Sequence, residues 1–127
     1  MKNWVSAKIH NIEVTDKSVQ YNGSIGVCRE LMNSCGMEPF EKVQVINLRN
    51  GNRWETYLLP MDTMGFTLNG GGALLGEVGD RCVLITYQSG EFFEGATVLF
   101  CDTVEDWKNK VVQVYKYKPN GEVEKCR

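Results

Sequence analysis

The sequence predicts a small, mainly β protein, and its strand-like runs and turn dipeptides carry that prediction. Two β-rich runs, 43–48 and 53–58, flank Asn50-Gly51, the dipeptide most typical of a short hairpin. Another strand-like run, 81–87, follows the turn residues Gly79-Asp80. Several short strands with little helix are typical of a small β-barrel.

The remaining elements follow from periodicity. Polar and apolar residues alternate over 8–15 with one interruption near Asn11, which predicts a strand. Apolar residues at i, i+3, i+4 and i+7 predict one short amphipathic helix, and Gly36 stands where a helix C-cap is expected. The residues of that apolar stripe are Cys28, Leu31, Met32 and Cys35.

Composition limits the class of protein. With 127 residues, 43% apolar and 24% charged, the chain is expected to fold as a single domain, 1–127. The net charge of -2 and the scattered Lys and Arg residues argue against nucleic acid as a partner. No apolar run is long enough to span a membrane, and no signal-peptide core follows Met1, so we expect a cytoplasmic protein.

The cysteine and histidine content gives two further expectations. Five cysteines without a Cys-x-x-Cys pair, an odd number, indicate reduced thiols with mainly structural roles. A single histidine, His10, leaves too few ligands for a zinc site, so no metal is expected.

The tetrapeptide Tyr21-Asn22-Gly23-Ser24 has an ordinary interpretation and a chemical one. Asn22-Gly23 alone most often marks a hairpin turn, and Asn22-Gly23-Ser24 is a glycosylation triplet only in a secreted protein. Because Gly23 lacks a Cβ, however, the Ser24 hydroxyl can approach the Gly23 carbonyl and move the acyl group from nitrogen to oxygen. Elimination and hydrolysis would then leave a pyruvoyl group in place of Ser24.

The motifs around this tetrapeptide resemble the pyruvoyl-dependent aspartate 1-decarboxylase family in order and spacing. The resemblance is good over 1–87 and weaker through 97–100. Each motif is weak alone, whereas the ordered set is specific. The motifs are Lys8-Ile9-His10, Tyr21-Asn22-Gly23-Ser24, Asn50-Gly51-Asn52-Arg53-Trp54-Glu55-Thr56-Tyr57, Asn69-Gly70 and Gly79-Asp80.

The resemblance implies a six-stranded double-psi β-barrel with one or two short helices, assembled as a homotetramer with active sites between subunits. It also implies self-cleavage into a β-chain, 1–23, and an α-chain, 24–127, for which some members require a maturation factor. The cofactor would be the pyruvoyl group made from Ser24. The reaction would convert L-aspartate to β-alanine and carbon dioxide for pantothenate and coenzyme A synthesis.

Family roles transfer to matching positions that also suit the chemistry. Arg53 offers a planar fork of donors for a carboxylate, and Lys8 supplies a second positive charge for a dicarboxylate. The matching threonine, Thr56, is implicated in processing, where it would donate to the oxygen that becomes negative. The phenol of Tyr57 would return a proton to the α-carbon after carbon dioxide leaves.

A second group of candidates lies around Asn69. Its amide would hold the reacting carbonyl, and the small residues Gly70, Gly71 and Gly72 would let the backbone approach the substrate; another hairpin is the ordinary alternative. His10 is placed near the site by the resemblance alone, since single histidines are more often structural.

Departures from the family pattern keep two alternatives open. Gly71 and Gly72 stand where alanines are usual, Leu74 replaces a common histidine, and the connection 60–68 is about two residues short. The segment 108–127 has no recognised counterpart and would form an extra hairpin or an interface arm. The alternatives are a pyruvoyl decarboxylase for another amino acid, and an uncleaved barrel that acts as a binding or structural module.

Overall fold

A computed structural model describes residues 1–20 and 23–127, and within them the chain is mainly β. One α-helix, α1 (Arg29–Cys35), and one 3₁₀ helix (Gly70–Leu75) interrupt the strands. The strands are β1 (Lys2–Glu13), β2 (Asp16–Ser18), β3 (Ser24–Cys28), β4 (Lys42–Asn47), β5 (Arg53–Met61), β6 (Phe66–Asn69), β7 (Arg81–Gly90), β8 (Ala96–Val104), β9 (Trp107–Tyr117) and β10 (Val123–Lys125).

The strands are hydrogen-bonded in the order β10-β9-β8-β1-β7-β4-β5-β3-β6-β2. β1 lies inside the sheet, antiparallel to β7 and parallel to β8. β3 is likewise enclosed, parallel to β5 and antiparallel to β6. The mainly β prediction with two short helices is therefore confirmed, whereas the double-psi barrel type stays a prediction.

The interruption predicted in the first strand is a β-bulge. Asn11 has a positive φ of 68°, and the pairing with β7 shifts register between His10 and Ile12. The Asn11 amide donates to the Cys101 carbonyl at 2.9 Å, which satisfies a polar group at the irregularity. The strand itself begins at Lys2 and ends at Glu13, so the range 8–15 was wrong at both ends. Alternation alone marked only its most regular part.

The helix and the hairpin formed as the local sequence predicted. α1 buries Leu31, Met32 and Cys35, and Gly36 ends it in the left-handed region at a φ of 84°. β4 and β5 pair antiparallel around Asn50-Gly51, where Gly51 has a φ of 76°.

The C-terminal segment forms the extra hairpin that was expected there. β9 and β10 pair antiparallel, with Tyr117 opposite Val123, and the turn between them contains Gly121 at a φ of 89°. Its role as an interface arm stays a prediction.

The core consists of the inward faces of these strands together with α1. Four of the five cysteines are buried and unpaired, and Cys126 is exposed. Burial raises the pKa of the Cys82 and Cys101 thiols to about 12 and that of Cys35 to about 11. None of the helices formed by residues 1–20 and 23–127 is long and apolar enough to cross a membrane.

Candidate active site

Ser24 is the first residue of β3, and its side chain is held inside the protein. The residue is 2% exposed and lies opposite Asn69 in the antiparallel β3–β6 pair. The Asn69 Nδ2 donates a hydrogen bond to Ser24 Oγ at 3.0 Å. The preceding Gly23 is exposed, and a Cβ built on it would meet nothing within 4 Å. Tyr21 and Asn22 of the same motif lie outside the described residues.

β5 brings the last two residues of its motif, Thr56 and Tyr57, to the neighbourhood of Ser24. β3 and β5 are parallel, with Ile25 opposite Leu58, so Tyr57 lies beside Ser24 on the adjacent strand. The half-buried Tyr57 ring lies 6.3 Å from that of Phe40, measured between centroids. Thr56 is half-buried on the opposite face of β5, because consecutive strand residues alternate.

The Asn69-Gly70 pair does not form a hairpin, which was its ordinary alternative. Asn69 instead precedes the 3₁₀ helix Gly70–Leu75, in which Gly70 is buried at a φ of 65°. Gly71 is exposed, and a Cβ there would meet nothing within 4 Å, whereas a Cβ on Gly72 would lie 2.9 Å from Trp54 Nε1. The two glycines therefore have different environments.

The far end of the 3₁₀ helix is tied to the β4–β5 hairpin. The Leu75 carbonyl accepts hydrogen bonds from the side-chain amides of Asn47, Asn50 and Asn52, each at 3.2 Å. The turn that begins at Asn69 is thus fixed at its end as well as at its start.

Asp80 strengthens this attachment. Its carboxylate accepts from Arg49 Nε at 2.6 Å, from Asn47 Nδ2 at 2.8 Å and from the Glu77 backbone N–H at 2.9 Å. The Arg49 guanidinium, aided by the other two donors, holds the pKa of the Asp80 carboxyl well below its usual range although burial opposes the shift.

The candidate carboxylate-binding residues lie on a different part of the sheet. Arg53 Nη2 donates to Gln44 Oε1 at 3.3 Å, on the side of β5 away from β3. Lys8 lies opposite Ile85 of β7, and Ile85 lies opposite Gln44 of β4. Lys8 therefore occupies the same face of the sheet as Gln44, two strands away from it.

Both cations are available to an external anion. Within the part of the chain that the structure describes, neither Lys8 nor Arg53 forms an ion pair. An open cavity of about 410 Å³ on this face is lined by Asn3, Lys42, Gln44, Glu55 and Tyr87.

His10 lies on the Lys8 side of the sheet, away from Ser24. Its ring stacks on Phe100 with 4.8 Å between centroids. Burial, and secondarily the charge of Lys8, lowers the pKa of His10, so the ring is neutral at pH 7.

One chain therefore brings together Ser24, Asn69 and Tyr57, and leaves Arg53, Lys8 and His10 at a distance. Sequence reasoning assigned no role to Trp54, to Gln44, or to Asp80 beyond its turn. A register argument could have found Gln44, since the hairpin sets it opposite Glu55 and diagonal to Arg53. Trp54 and Asp80 had no such local signal.

No cluster of three or more histidine, cysteine, aspartate or glutamate residues within 1–20 and 23–127 could hold a metal ion. Comparison with known proteins gives a family match: the model described as aspartate decarboxylase matches residues 1–116. A protein of Thermosipho africanus named aspartate 1-decarboxylase is 37% identical over 115 residues, which cover 87% of this chain and 92% of the relative.

Two further relatives carry the same name. The Trichormus variabilis protein is 38% identical over 87% of this chain and 89% of its own length, and the Campylobacter jejuni subsp. doylei protein is 33% identical over 94% and 95%. These matches place the mainly β chain in a class of decarboxylases. It belongs to the aspartate decarboxylase family.

Proposed function

We propose that this protein is an aspartate 1-decarboxylase that converts L-aspartate to β-alanine and carbon dioxide for pantothenate and coenzyme A synthesis. The family to which it belongs is pyruvoyl-dependent. The observation that carries the proposal to particular atoms is the hydrogen bond from Asn69 to the hydroxyl of Ser24, directly after Gly23.

The residues present fit the formation of a pyruvoyl group from Ser24. Asn69 donates to Oγ, so Ser24 Oγ is the acceptor of this hydrogen bond and Asn69 does not engage the hydroxyl hydrogen that a base would remove. Gly23 presents no side chain that would obstruct attack on its carbonyl carbon. Ser24 Oγ would attack that carbon, the Gly23–Ser24 amide bond would break, and the acyl group would then be bound to oxygen as an ester.

The next steps separate the chains. Loss of the α-proton of Ser24 expels the Gly23 carboxylate, and addition of water to the resulting dehydroalanine releases ammonia and leaves the pyruvoyl group. The products are the β-chain, 1–23, and the α-chain, 24–127. Thr56 is the proposed donor to the oxygen that becomes negative during the acyl shift.

Other side chains would bind the substrate and move a proton. When formed, the pyruvoyl group supplies an electrophilic carbonyl and an electron sink for decarboxylation. Arg53 and Lys8 would hold the two carboxylates of L-aspartate, and the Tyr57 hydroxyl would deliver a proton to the α-carbon. Asn69, Gly70, Gly71 and Gly72 would form the adjacent wall, with His10 near Lys8.

The distribution of these residues supports a site shared between subunits. Arg53 lies four residues before Tyr57, a displacement of about 13 Å along β5, and its guanidinium turns toward β4 rather than β3. A substrate as small as aspartate cannot bridge this gap within one chain. A homotetramer in which one subunit supplies Ser24 and a neighbour supplies the cations removes the difficulty.

The cellular setting is part of the same proposal. Four buried cysteines without disulfide partners suit a reducing compartment, which favours the cytoplasm. A maturation factor remains a candidate partner for the cleavage step.

The test combines intact mass with an activity assay. We expect the purified protein to give two fragments divided before Ser24 and to form β-alanine from L-aspartate. Ser24→Ala should give one full-length species without activity. Ser34→Ala, the same substitution at an exposed position of α1, should behave as the parent.

Two outcomes would refute the proposal in different ways. A parent protein that stays full-length after long incubation would favour a binding or structural module. Cleavage followed by faster turnover of another amino acid, in a panel assayed beside aspartate, would favour a pyruvoyl decarboxylase of different specificity.

A further inference from the structure

Trp54 lies on β5 between two candidate site residues, yet its side chain points toward the core. It faces Val45 across the β4–β5 hairpin and packs, partly buried, against the hydrophobic core. Its neighbour Arg53 lies on the outer face. Because strand residues alternate, Trp54 is directed under the 3₁₀ helix rather than toward the cavity beside Gln44.

Trp54 lies close to Gly72 of the 3₁₀ helix. A Cβ on Gly72 would lie 2.9 Å from Trp54 Nε1, 3.5 Å from Cε2 and 3.6 Å from Cδ1. The first distance is shorter than carbon and nitrogen atoms tolerate without displacement. An indole fixed in a core cannot yield as a flexible chain would, so an alanine at 72 must push the helix or the ring aside.

A displacement of the backbone at Gly72 would also move Asn69 and thereby change the hydrogen bond to Ser24. Gly72 is three residues after Asn69, whose Nδ2 holds Ser24 Oγ at 3.0 Å. At the other end, the Leu75 carbonyl is anchored by three asparagine amides. Since that end is fixed, movement of the turn is transmitted toward Asn69.

We propose that Trp54 is a positioning residue for Ser24, acting through Gly72 and the turn to Asn69, and that in this chain the indole of Trp54 is the reason why glycine fits at position 72 and alanine does not. The inference rests on the proposed function, because the event that it controls is cleavage before Ser24. Gly72 is thereby a packing requirement, and its substrate-facing role is secondary.

The chain contains a control in Gly90, which lies on β7 and has no role in the candidate site. A Cβ on Gly90 would lie 3.5 Å from the Phe92 carbonyl oxygen, an ordinary contact, and neither Gly72 nor Gly90 has the positive φ that would itself disfavour alanine. Gly90→Ala and Gly72→Ala thus add the same methyl group, and only the one at position 72 meets an atom at less than 3 Å.

The experiment follows cleavage by intact mass over time in freshly synthesised protein. We expect Gly72→Ala to slow cleavage about 10- to 100-fold, as misplacement by a fraction of an ångström to an ångström does. Gly90→Ala should cleave at the parent rate. Trp54→Phe combined with Gly72→Ala should recover most of the rate, because the smaller ring leaves room for the methyl group.

A second measurement is independent of cleavage. In protein kept uncleaved at low temperature, NMR signals of the Asn69 side-chain amide should shift in Gly72→Ala, stay in place in Gly90→Ala and return in the Trp54→Phe/Gly72→Ala chain. A parent that never cleaves would refute the proposed function, while these signals would still test the Trp54 contact.

Two results would overturn the inference. One is cleavage of Gly72→Ala at the parent rate with unshifted Asn69 signals. The other is a double variant no faster than Gly72→Ala alone. If Gly72→Ala fails to fold, the folded state and the cleavage rate of the double variant decide the question in the same way.

Discussion

Replacing Asp80 with alanine removes the carboxylate that joins the β4–β5 hairpin to the segment after the 3₁₀ helix. Two donor hydrogens lose their acceptor in a site where the Asp80 side chain is only 6% exposed: the Glu77 N–H and one of the two amide hydrogens of Asn47, whose amide still donates to the Leu75 carbonyl. The third donor, Arg49, is 55% exposed and can turn into water. The loss should therefore come mainly from the first two donors.

The magnitude follows from these contacts. Each donor left without a partner in the interior costs about 1 kcal/mol or slightly more. The Arg49 pair adds little to this, because solvent screens it. We expect Asp80→Ala to lower the free energy of unfolding by about 2–3 kcal/mol. At about 3–5 °C for each kcal/mol in a chain of this size, the melting temperature should fall by roughly 10 °C.

The effect has a defined pH dependence. The folded-state pKa of Asp80 is depressed below the unfolded value of about 3.9, so its stabilising contribution is present above that value and is lost as the pH falls through the folded pKa. The difference in stability between the parent and Asp80→Ala should be largest near pH 7 and shrink as the pH falls below 4. Asp80→Asn keeps one acceptor oxygen and should show about half the loss.

The assay is urea unfolding followed by circular dichroism at fixed protein concentration, in a Ser24→Ala background so that each sample is one chain. Arg49→Ala serves as the control for the exposed part of the network. Equal unfolding midpoints for the parent and Asp80→Ala at pH 7 would refute the reasoning. So would a difference that stays constant from pH 7 to pH 3.

Three other predictions concern separate parts of the molecule. Asn69→Ala removes the donor to Ser24 Oγ and should slow cleavage about 100-fold by intact mass, as loss of a donor at a reacting oxygen does; cleavage at the parent rate would contradict this. Gly26→Ala brings a Cβ against the hydroxyl of Thr67 and should cost about 1–3 kcal/mol in urea unfolding, part of which Thr67→Ala should restore; no loss would show that the strand can shift. Iodoacetamide at pH 8 should modify only Cys126 in the native protein, because the other four thiols are buried; mass evidence for a second rapid adduct would disprove it.

The parts of the fold that the sequence predicted are those with local causes. The Asn50-Gly51 hairpin and the Gly36 end of α1 each depend on a glycine at a positive φ within the element itself. The bulge at Asn11 also has a local cause, a positive φ at Asn11 itself, and the sequence shows it as an interruption of the alternating pattern. The strand order was not predictable in this way, because β1 pairs with β7 and β8, and the paired residues are at least 68 positions apart in the sequence.

In the candidate site, too, the sequence predicted some features and not those that depend on how distant segments pack. Ser24 and Asn69 were selected by motif, and the register of β3 against β6 brings them into contact. The environment of Gly72 could not be anticipated, since it depends on a tryptophan 18 residues earlier that meets it only after the sheet forms. The separation of Arg53 from Ser24 follows from the register of β3 against β5, which puts Ser24 beside Tyr57, four residues after Arg53, and which spacing along the chain does not reveal.

The position of β1 inside the sheet affects how the cleaved protein dissociates and refolds. Cleavage before Ser24 would put β1 and β2 on a peptide of 23 residues, held to the rest by the pairing of β1 with β7 and β8, by the pairing of β2 with β6 and by buried side chains such as Ile9 and Ile12. That peptide cannot depart without opening the middle of the sheet. After unfolding, however, the two pieces would have to meet by diffusion, so refolding of the cleaved protein would depend on protein concentration. The uncut precursor, in contrast, refolds as one molecule. Cleavage would thus replace one chain that refolds by itself with two chains that must associate again before they fold.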